Sequence, residues 1–259
     1  MTHESARPLL EVKNLTRLFG GLKALEDVSF SVPRGAICGL IGPNGAGKTT
    51  LINLISGLGP LSEGAVFLDG QLISGLPPHK IAARGIGRTF QNIRLFGDLS
   101  VLENVILGHH LRQCGTVIDT LLHLPRSRSG ERDSRQAALA LLGRLDMEHL
   151  ANVRANALSY GDQRRVEIAR ALALEPSLLL LDEPAAGMNS TETEALCEFL
   201  LSLKDGSLTI LIIEHDMDLI MRMSDLVIVL NFGMKIAEGT PDFVRNEPHV
   251  IEAYLGKEQ

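Results

Sequence analysis

The sequence predicts an α/β fold organised around a phosphate-binding loop, and three observations carry that reading. Gly42-Pro-Asn-Gly-Ala-Gly-Lys-Thr49 lies between an apolar run, Ala36–Ile41, that reads as a buried strand and Thr50–Ser56, which reads as a helix. Four consecutive leucines, Leu178–Leu181, run into Asp182-Glu183, the pattern of a strand buried on both faces of a parallel sheet with carboxylates at its C-terminal end. Between these strand-rich halves, residues from about 95 to 175 read mainly as helix, an insert within the α/β chain.

In chain order, Leu9–Leu15 and Ala24–Val32 alternate as two strands around the turn Arg17-Leu-Phe-Gly-Gly21. Phe19 in that turn is either a core residue at a strand end or a platform for an adenine ring. In the phosphate loop, glycines let the backbone curl its N–H groups inward, and the following helix adds its free N–H groups and positive dipole end. Lys48 reaches β- and γ-phosphates in such a loop, and the Thr49 hydroxyl binds Mg²⁺. The motif therefore predicts a bound nucleoside triphosphate.

Glu63–Gly70 reads as a strand bounded by glycine turns, and Gly85–Gln91 as a short extended piece followed by the apolar loop Asn92–Gly97. Leu99–Leu111 and Gln136–Leu145 have helical apolar faces, and Pro125–Arg135, rich in arginine without interleaved aromatics, reads as a solvated loop. Ser159 fits a helix N-cap with Asp162 three residues on, as in a capping box; the helix runs through Ala173 and stops before Pro176. That start is either an ordinary cap or a second anion-binding helix end. At the end of the Leu178–Glu183 strand, Asp182 is placed to hold Mg²⁺, directly or through water, and Glu183 to orient and polarise an attacking water. Leu208–Ile213 is a further strand, and the same sheet edge makes His215 a γ-phosphate contact. Leu226–Leu230 and Met234–Ala237 give two more strands, and Pro241–Leu255 one or two short helices.

Composition narrows the function. The 259 residues suit one large α/β domain or two small lobes, and the formal net charge of -6 argues against a nucleic-acid surface. Trp is absent and Tyr numbers 2, so platforms for stacking bases are scarce. Cys38, Cys114 and Cys197 have neither disulfide nor metal spacing, which points to a reducing compartment. The N-terminus lacks the apolar core of a signal peptide, and no run approaches a membrane span.

Taken together, these pieces resemble the ATP-binding cassette ATPases over nearly the whole chain. Gly42–Thr49 matches the Walker A loop, Gln91 the Q-loop, Leu158-Ser-Tyr-Gly-Asp-Gln163 the signature, Leu178–Glu183 Walker B with its catalytic glutamate, and His215 the switch histidine. Tyr160 stands where the usual signature has Gly, Asp162 where it has Gln, and Asn189 where the wider family has Asp.

The resemblance implies a mixed sheet core with an antiparallel β subdomain (about 1–94 and 176–259) and an inserted α-helical subdomain (about 95–175). It implies ATP and Mg²⁺ as bound groups. Gly42, Pro43, Asn44, Gly45, Ala46, Gly47, Lys48, Thr49 and Thr50 would hold nucleotide. Phe19 would stack on adenine. Ser159 and Gly161 would touch the phosphate of a second protomer, and Gln91 would reach a Mg²⁺-bound water or the γ-phosphate. Arg88–Phe96, Tyr160–Arg165, Asp182–Gly187 and Tyr254-Leu-Gly256 are similar to one ATPase subunit of bacterial branched-chain amino-acid importers, with importers of urea and short amides, and the ATPase that extracts lipopolysaccharide, close in pattern. Partners implied are a second ATPase subunit placed head to tail, membrane permease subunits docking beside the Q-loop at Ile93, Leu95 and Phe96, and indirectly an external solute-binding protein. The implied location is the cytoplasmic face of the cell membrane.

A soluble phosphotransferase is the alternative from another class, but it has no use for the Ser159–Gly161 signature. Chromosome- or ribosome-associated relatives carry long coiled-coil inserts or paired cassettes, which this chain lacks.

Overall fold

The computed structural model describes residues 7–113, 126–204 and 206–255. Two sheets share one core. The first is antiparallel, with strands β1 (Leu10–Phe19), β2 (Leu22–Val32), β4 (Glu63–Leu68) and β5 (Gln71–Leu72) in the order β2-β1-β4-β5. Its β1–β2 hairpin turns on Gly20-Gly21, with Phe19 paired to Leu22, so both strands extend further toward the turn than their alternation suggests.

The second sheet runs β10-β9-β3-β8-β7-β6, from β10 (Met234–Gly239) through β9 (Leu226–Asn231), β3 (Ile37–Ile41), β8 (Thr209–Ile213) and β7 (Leu178–Asp182) to β6 (Ile86–Arg88). All neighbours are parallel except β10 on β9. The predicted mixed sheet and separate antiparallel sheet are both present.

The period of two along a strand explains how the apolar runs are used. Cys38, Leu40, Leu178, Leu180, Leu211, Ile213, Ile228 and Leu230 face one way, onto helix α1 (Lys48–Ile55) and the antiparallel sheet. Ile37, Ile41, Leu179, Leu181, Ile210, Ile212, Val227 and Val229 face the other way, onto a layer of helices. That layer includes α3 (Val101–Gln113), α4 (Arg126–Arg144), α5 (Tyr160–Leu172), α6 (Ser190–Ser202) and α7 (Met217–Met223). Helix α2 (Pro78–Ala83) precedes β6, and α8 (Pro241–Arg245) and α9 (Pro248–Leu255) follow β10, where one or two short helices were expected.

One element overturns its sequence reading. The arginine-rich stretch expected to be a loop is helical from Arg126 onward; Pro125 lies outside the described residues. Arg, Glu, Gln, Ala and Leu are all good helix formers. Ala138 and Leu142, four apart, bury one face of the helix, while Arg132, Asp133 and Arg135 are exposed.

Helices α6 and α7 have no counterpart in the sequence reading. Asn189 caps α6 in a reciprocal box, accepting from the Glu192 N–H at 3.0 Å while Glu192 accepts from the Asn189 N–H at 3.1 Å. At Ser159 the predicted cap is present, but Asp162 does not reach back to the Ser159 N–H. The Ser159 hydroxyl accepts from the Asp162 N–H at 3.1 Å and donates to the Asp162 carboxylate at 2.8 Å.

Candidate active site

Four neighbouring strands deliver the site to one edge of the parallel sheet. Their order, β3-β8-β7-β6, sets the phosphate loop after β3 beside Glu214-His215 after β8, Asp182-Glu183 at the end of β7, and Gln91 beyond β6. The C-terminal edge is where open α/β sheets place ligands.

The phosphate loop is shaped by backbone that excludes side chains. A Cβ on Gly42 would stand 2.1 Å from the Leu230 carbonyl oxygen, and one on Gly47 would stand 2.7 Å from that of Ala24. Gly47 is the N-cap of α1 in the left-handed region, φ +99°, and no side chain closes that helix end. Lys48 is buried and its ammonium donates to the carbonyls of Gly42 (2.6 Å) and Pro43 (3.0 Å). Burial lowers the Lys48 pKa, while Glu183 and Asp182 hold it up. A cavity of about 440 Å³ opens over the loop, lined by Asn44 to Thr50, Glu183, Leu22–Ala24 and Phe232-Gly233. A larger cavity of about 740 Å³ lies among the helices near His109 and Arg144, away from these residues.

The carboxylates sit in contrasting settings. Asp182 is buried, and burial raises its pKa against the pull of Arg88, whose guanidinium lies 3.2 Å from it. Arg88 also donates to the Ser56 hydroxyl at 2.6 Å. Glu183 has φ +47°, a left-handed conformation that costs a non-glycine residue about 1–2 kcal/mol. It accepts from the Gln91 amide at 2.8 Å, so the Q-loop residue and the predicted general base touch directly.

His215 is exposed, its side chain 60% accessible, with Nδ1 3.7 Å from the Glu214 carboxylate. Phe19, 52% exposed, is not among the residues lining the 440 Å³ cavity; the Arg17 guanidinium lies 4.3 Å from its ring centroid. Ser159 and Gly161 are likewise outside that lining. Thr49 is exposed within it, and Thr49 and Asp182 are oxygen donors of the kind that hold Mg²⁺ jointly with phosphates. Among the described residues no group of three or more His, Cys, Asp or Glu gathers to hold a metal unaided.

Several residues the sequence reading passed over tie the site together. Arg164, fully buried, donates to the carbonyls of Phe90 and Gln91 (both 2.7 Å) and pairs with buried Glu167 at 2.9 Å. Glu167 also accepts from the Arg94 N–H at 3.1 Å. The Q-loop is thus fastened to α5 on both sides of Gln91. Tyr160 donates to the Ala186 carbonyl at 3.0 Å, linking the signature to the loop after Glu183. The signal available in the sequence was charged residues on the otherwise core-facing side of α5, at Arg164 and Glu167.

These geometries agree with what the chain is similar to. A family pattern described as ABC transporter matches residues 25–186, and one described as branched-chain amino acid ATP-binding cassette transporter matches residues 234–259. The chain is 44% identical to the high-affinity branched-chain amino acid transport ATP-binding protein BraF of Pseudomonas aeruginosa, over 97% of this chain and 99% of that protein. Identity to the lipopolysaccharide export system ATP-binding protein LptB of Escherichia coli is 36%, over 96% and 98%. Among solved structures, the ADP conformation of MJ1267, an ATP-binding cassette of an ABC transporter, matches with TM-score 0.84 at 34% identity, covering 97% of this chain and all of that one. A glycine cradle with an uncapped helix end, a carboxylate pair at the sheet edge and this similarity over nearly the full length lead to one conclusion: the chain belongs to the ABC transporter family, as one of its ATP-hydrolysing cassettes.

Proposed function

We propose that this cassette powers an importer of branched-chain amino acids from the cytoplasmic face of the cell membrane, paired with a second ATPase subunit and seated on permease subunits served by an external solute-binding protein. The observation that carries the solute class is the similarity to BraF, which exceeds that to LptB and is accompanied by the match at residues 234–259.

The chemistry assigned to each residue follows from its place. The N–H groups of the phosphate loop and of α1 bind the phosphates, with Lys48 neutralising the terminal ones. Mg²⁺, when bound beside Thr49 and Asp182, supplies charge neutralisation at the β- and γ-phosphate oxygens. Glu183 polarises the attacking water, Gln91 senses the γ-phosphate end, and His215 contacts the γ-phosphate. Two aromatics are candidates for the adenine: Phe19, expected from the sequence, and Phe232, which lines the cavity. Ser159 and Gly161, outside the cavity of their own chain, serve the nucleotide held by a partner's phosphate loop.

Beside the Q-loop, Phe96 is 57% exposed whereas Leu95 packs against the helical core, so Phe96 is the side chain offered to the permease. The deciding experiment is uptake by vesicles holding this chain with its permease. Labelled leucine, isoleucine and valine are expected to accumulate with ATP; uptake of urea or acetamide in their place would refute the solute assignment. Phe96→Glu is expected to abolish co-purification with the permease while leaving ATP binding intact.

A further inference from the structure

Glu214, beside His215 on the catalytic edge, is a carboxylate that the reaction has not used. It is fully buried, a costly place for a charge without partners. One oxygen accepts the Ala185 N–H at 2.7 Å, which ties β8 to the loop after Glu183. The other, Oε2, is shielded from solvent and has no hydrogen-bond partner. Buried polar atoms in native proteins are seldom left so, and the exceptions call for an explanation. The imidazole next to it, Nδ1 of His215, lies 3.7 Å away on an exposed and therefore rotatable ring.

We propose that Glu214 is a positioning residue for His215: its free oxygen takes the Nδ1–H, which fixes the ring and leaves Nε2 turned toward the nucleotide, where the doubly protonated ring donates Nε2–H to a γ-phosphate oxygen. At 3.7 Å the contact is electrostatic and too long for a hydrogen bond. A modest turn of the ring brings the proton onto Oε2 and satisfies the orphaned atom. A carboxylate set behind an imidazole is the usual way to settle which ring nitrogen carries the proton. Because Glu214 also grips Ala185, the ring is oriented relative to the same loop that carries Glu183. The competing explanation is a backbone clamp alone, through the Ala185 N–H and the nearby His215 N–H, and it leaves Oε2 without a well-formed hydrogen bond.

The inference rests on the reading of His215 as the γ-phosphate contact, yet it can be tested apart from it. The measurement is ¹⁵N NMR of histidine-labelled, nucleotide-free protein at about pH 9, where imidazoles are neutral, with His215→Ala identifying the signal. The wild type is expected to carry the His215 proton on Nδ1. Glu214→Gln is the diagnostic variant, since its amide oxygen can still accept from Ala185 while its NH₂ group can only donate toward the ring. It is expected to move the proton to Nε2 and to lower kcat for ATP hydrolysis by about 10–100-fold with KM for ATP unchanged. A wild-type proton on Nε2, or a tautomer and kcat unaltered in Glu214→Gln, would overturn the proposal and leave Glu214 a clamp on Ala185. If Glu214→Gln fails to fold, the wild-type spectrum alone decides. Full turnover by His215→Ala would instead refute the γ-phosphate role of His215, whatever the spectrum shows.

Discussion

Two helix starts in this protein face the same electrostatic problem and solve it in opposite ways. Both α1 and α5 begin at a functional motif, and each leaves N–H groups that need an acceptor. Helix α5 supplies its own: the Ser159 hydroxyl accepts from the Asp162 N–H and donates a hydrogen bond to the Asp162 carboxylate. Helix α1 supplies nothing, because Gly47 at its N-cap has no side chain and the approach of Ala24 and Leu25 forbids one. Asn189, Asp216 and Thr240 cap α6, α7 and α8 in the ordinary way; α2 also lacks a side-chain cap, but it starts at Pro78, which has no N–H to satisfy, whereas α1 starts at Lys48. A helix end left open, beneath a cavity and beside a buried lysine, is built to take an anion from outside the chain. A helix end already closed by its serine must exchange that internal bond before it can touch a phosphate, and such an exchange suits a contact made only when two protomers close.

The largest effect that sharpens this contrast is expected at Glu183, which lines the cavity above the open end. Glu183→Gln should bind ATP normally and lose about 10²–10⁴-fold in hydrolysis, the usual cost of removing a general base. Phosphate release and equilibrium nucleotide binding, measured on the same preparation, check it. Near-normal turnover would move the chemistry elsewhere.

Next in size is the support behind the closed end. Arg164→Met takes from Glu167 its nearest cation and leaves this buried carboxylate the Arg94 N–H and the more distant Arg170 guanidinium at 3.9 Å, in a place where burial already raises its pKa. It also strips the Phe90 and Gln91 carbonyls of their donor. Breaking a buried pair from one side typically costs about 3–5 kcal/mol, whereas replacing both partners by apolar groups is often neutral. Urea unfolding should show that loss in Arg164→Met, and Arg164→Met/Glu167→Leu should recover much of it. A double variant no more stable than the single one would mean that the carbonyl contacts, not the ion pair, hold the Q-loop to α5.

Ser159→Arg tests the exchange itself. Losing the cap lowers stability by about 1 kcal/mol, while the arginine blocks the face turned toward a partner. Mixed with wild-type chains, it should bind ATP at its own Lys48 and silence the site across from it. Full activity from a demonstrated monomer would refute the head-to-tail arrangement.

These residues also mark how far the sequence could be read. The central strands were legible because a strand buried on both faces must be apolar at every position, as Leu178–Leu181 is. The open end of α1 was legible because only a particular glycine spacing makes it. The fastening of the Q-loop was not, since Arg164 and Phe90 meet only through the fold, 74 positions apart. Helix α4 was misread because an exposed helical turn and a loop share their polarity: the arginines and Glu131 favour helix, while Ser127, Ser129, Gly130, Asp133 and Ser134 read as loop. Glu214 was passed over because nothing in the sequence marks it apart from its neighbours, and its burial belongs to the packing alone.

The smallest effect concerns the far wall of the cavity at the open end, where two aromatics compete for the base. Phe19 was the expected adenine platform, yet Phe232 is the one that lines the cavity, 82% exposed with φ +45° on the β9–β10 turn. That turn is anchored: the Gly233 N–H donates to the Ala46 carbonyl of the phosphate loop at 3.1 Å, and its own carbonyl accepts the Glu26 N–H at 2.8 Å. An exposed ring held in a strained conformation beside a nucleotide cavity gains from a flat partner, and a stacked pair contributes about 0.5–1.5 kcal/mol. Because the chain has no tryptophan, Phe232→Trp and Phe19→Trp each give a single fluorescent reporter. ATP should quench the indole of the Phe232→Trp variant, while tripolyphosphate, which has phosphates and no base, should leave it unchanged. Phe232→Ala should weaken ATP by about 2–12-fold on the same energetic scale, with tripolyphosphate affinity unaltered. Quenching in Phe19→Trp but not in Phe232→Trp would return the base to the first hairpin and make the second an onlooker.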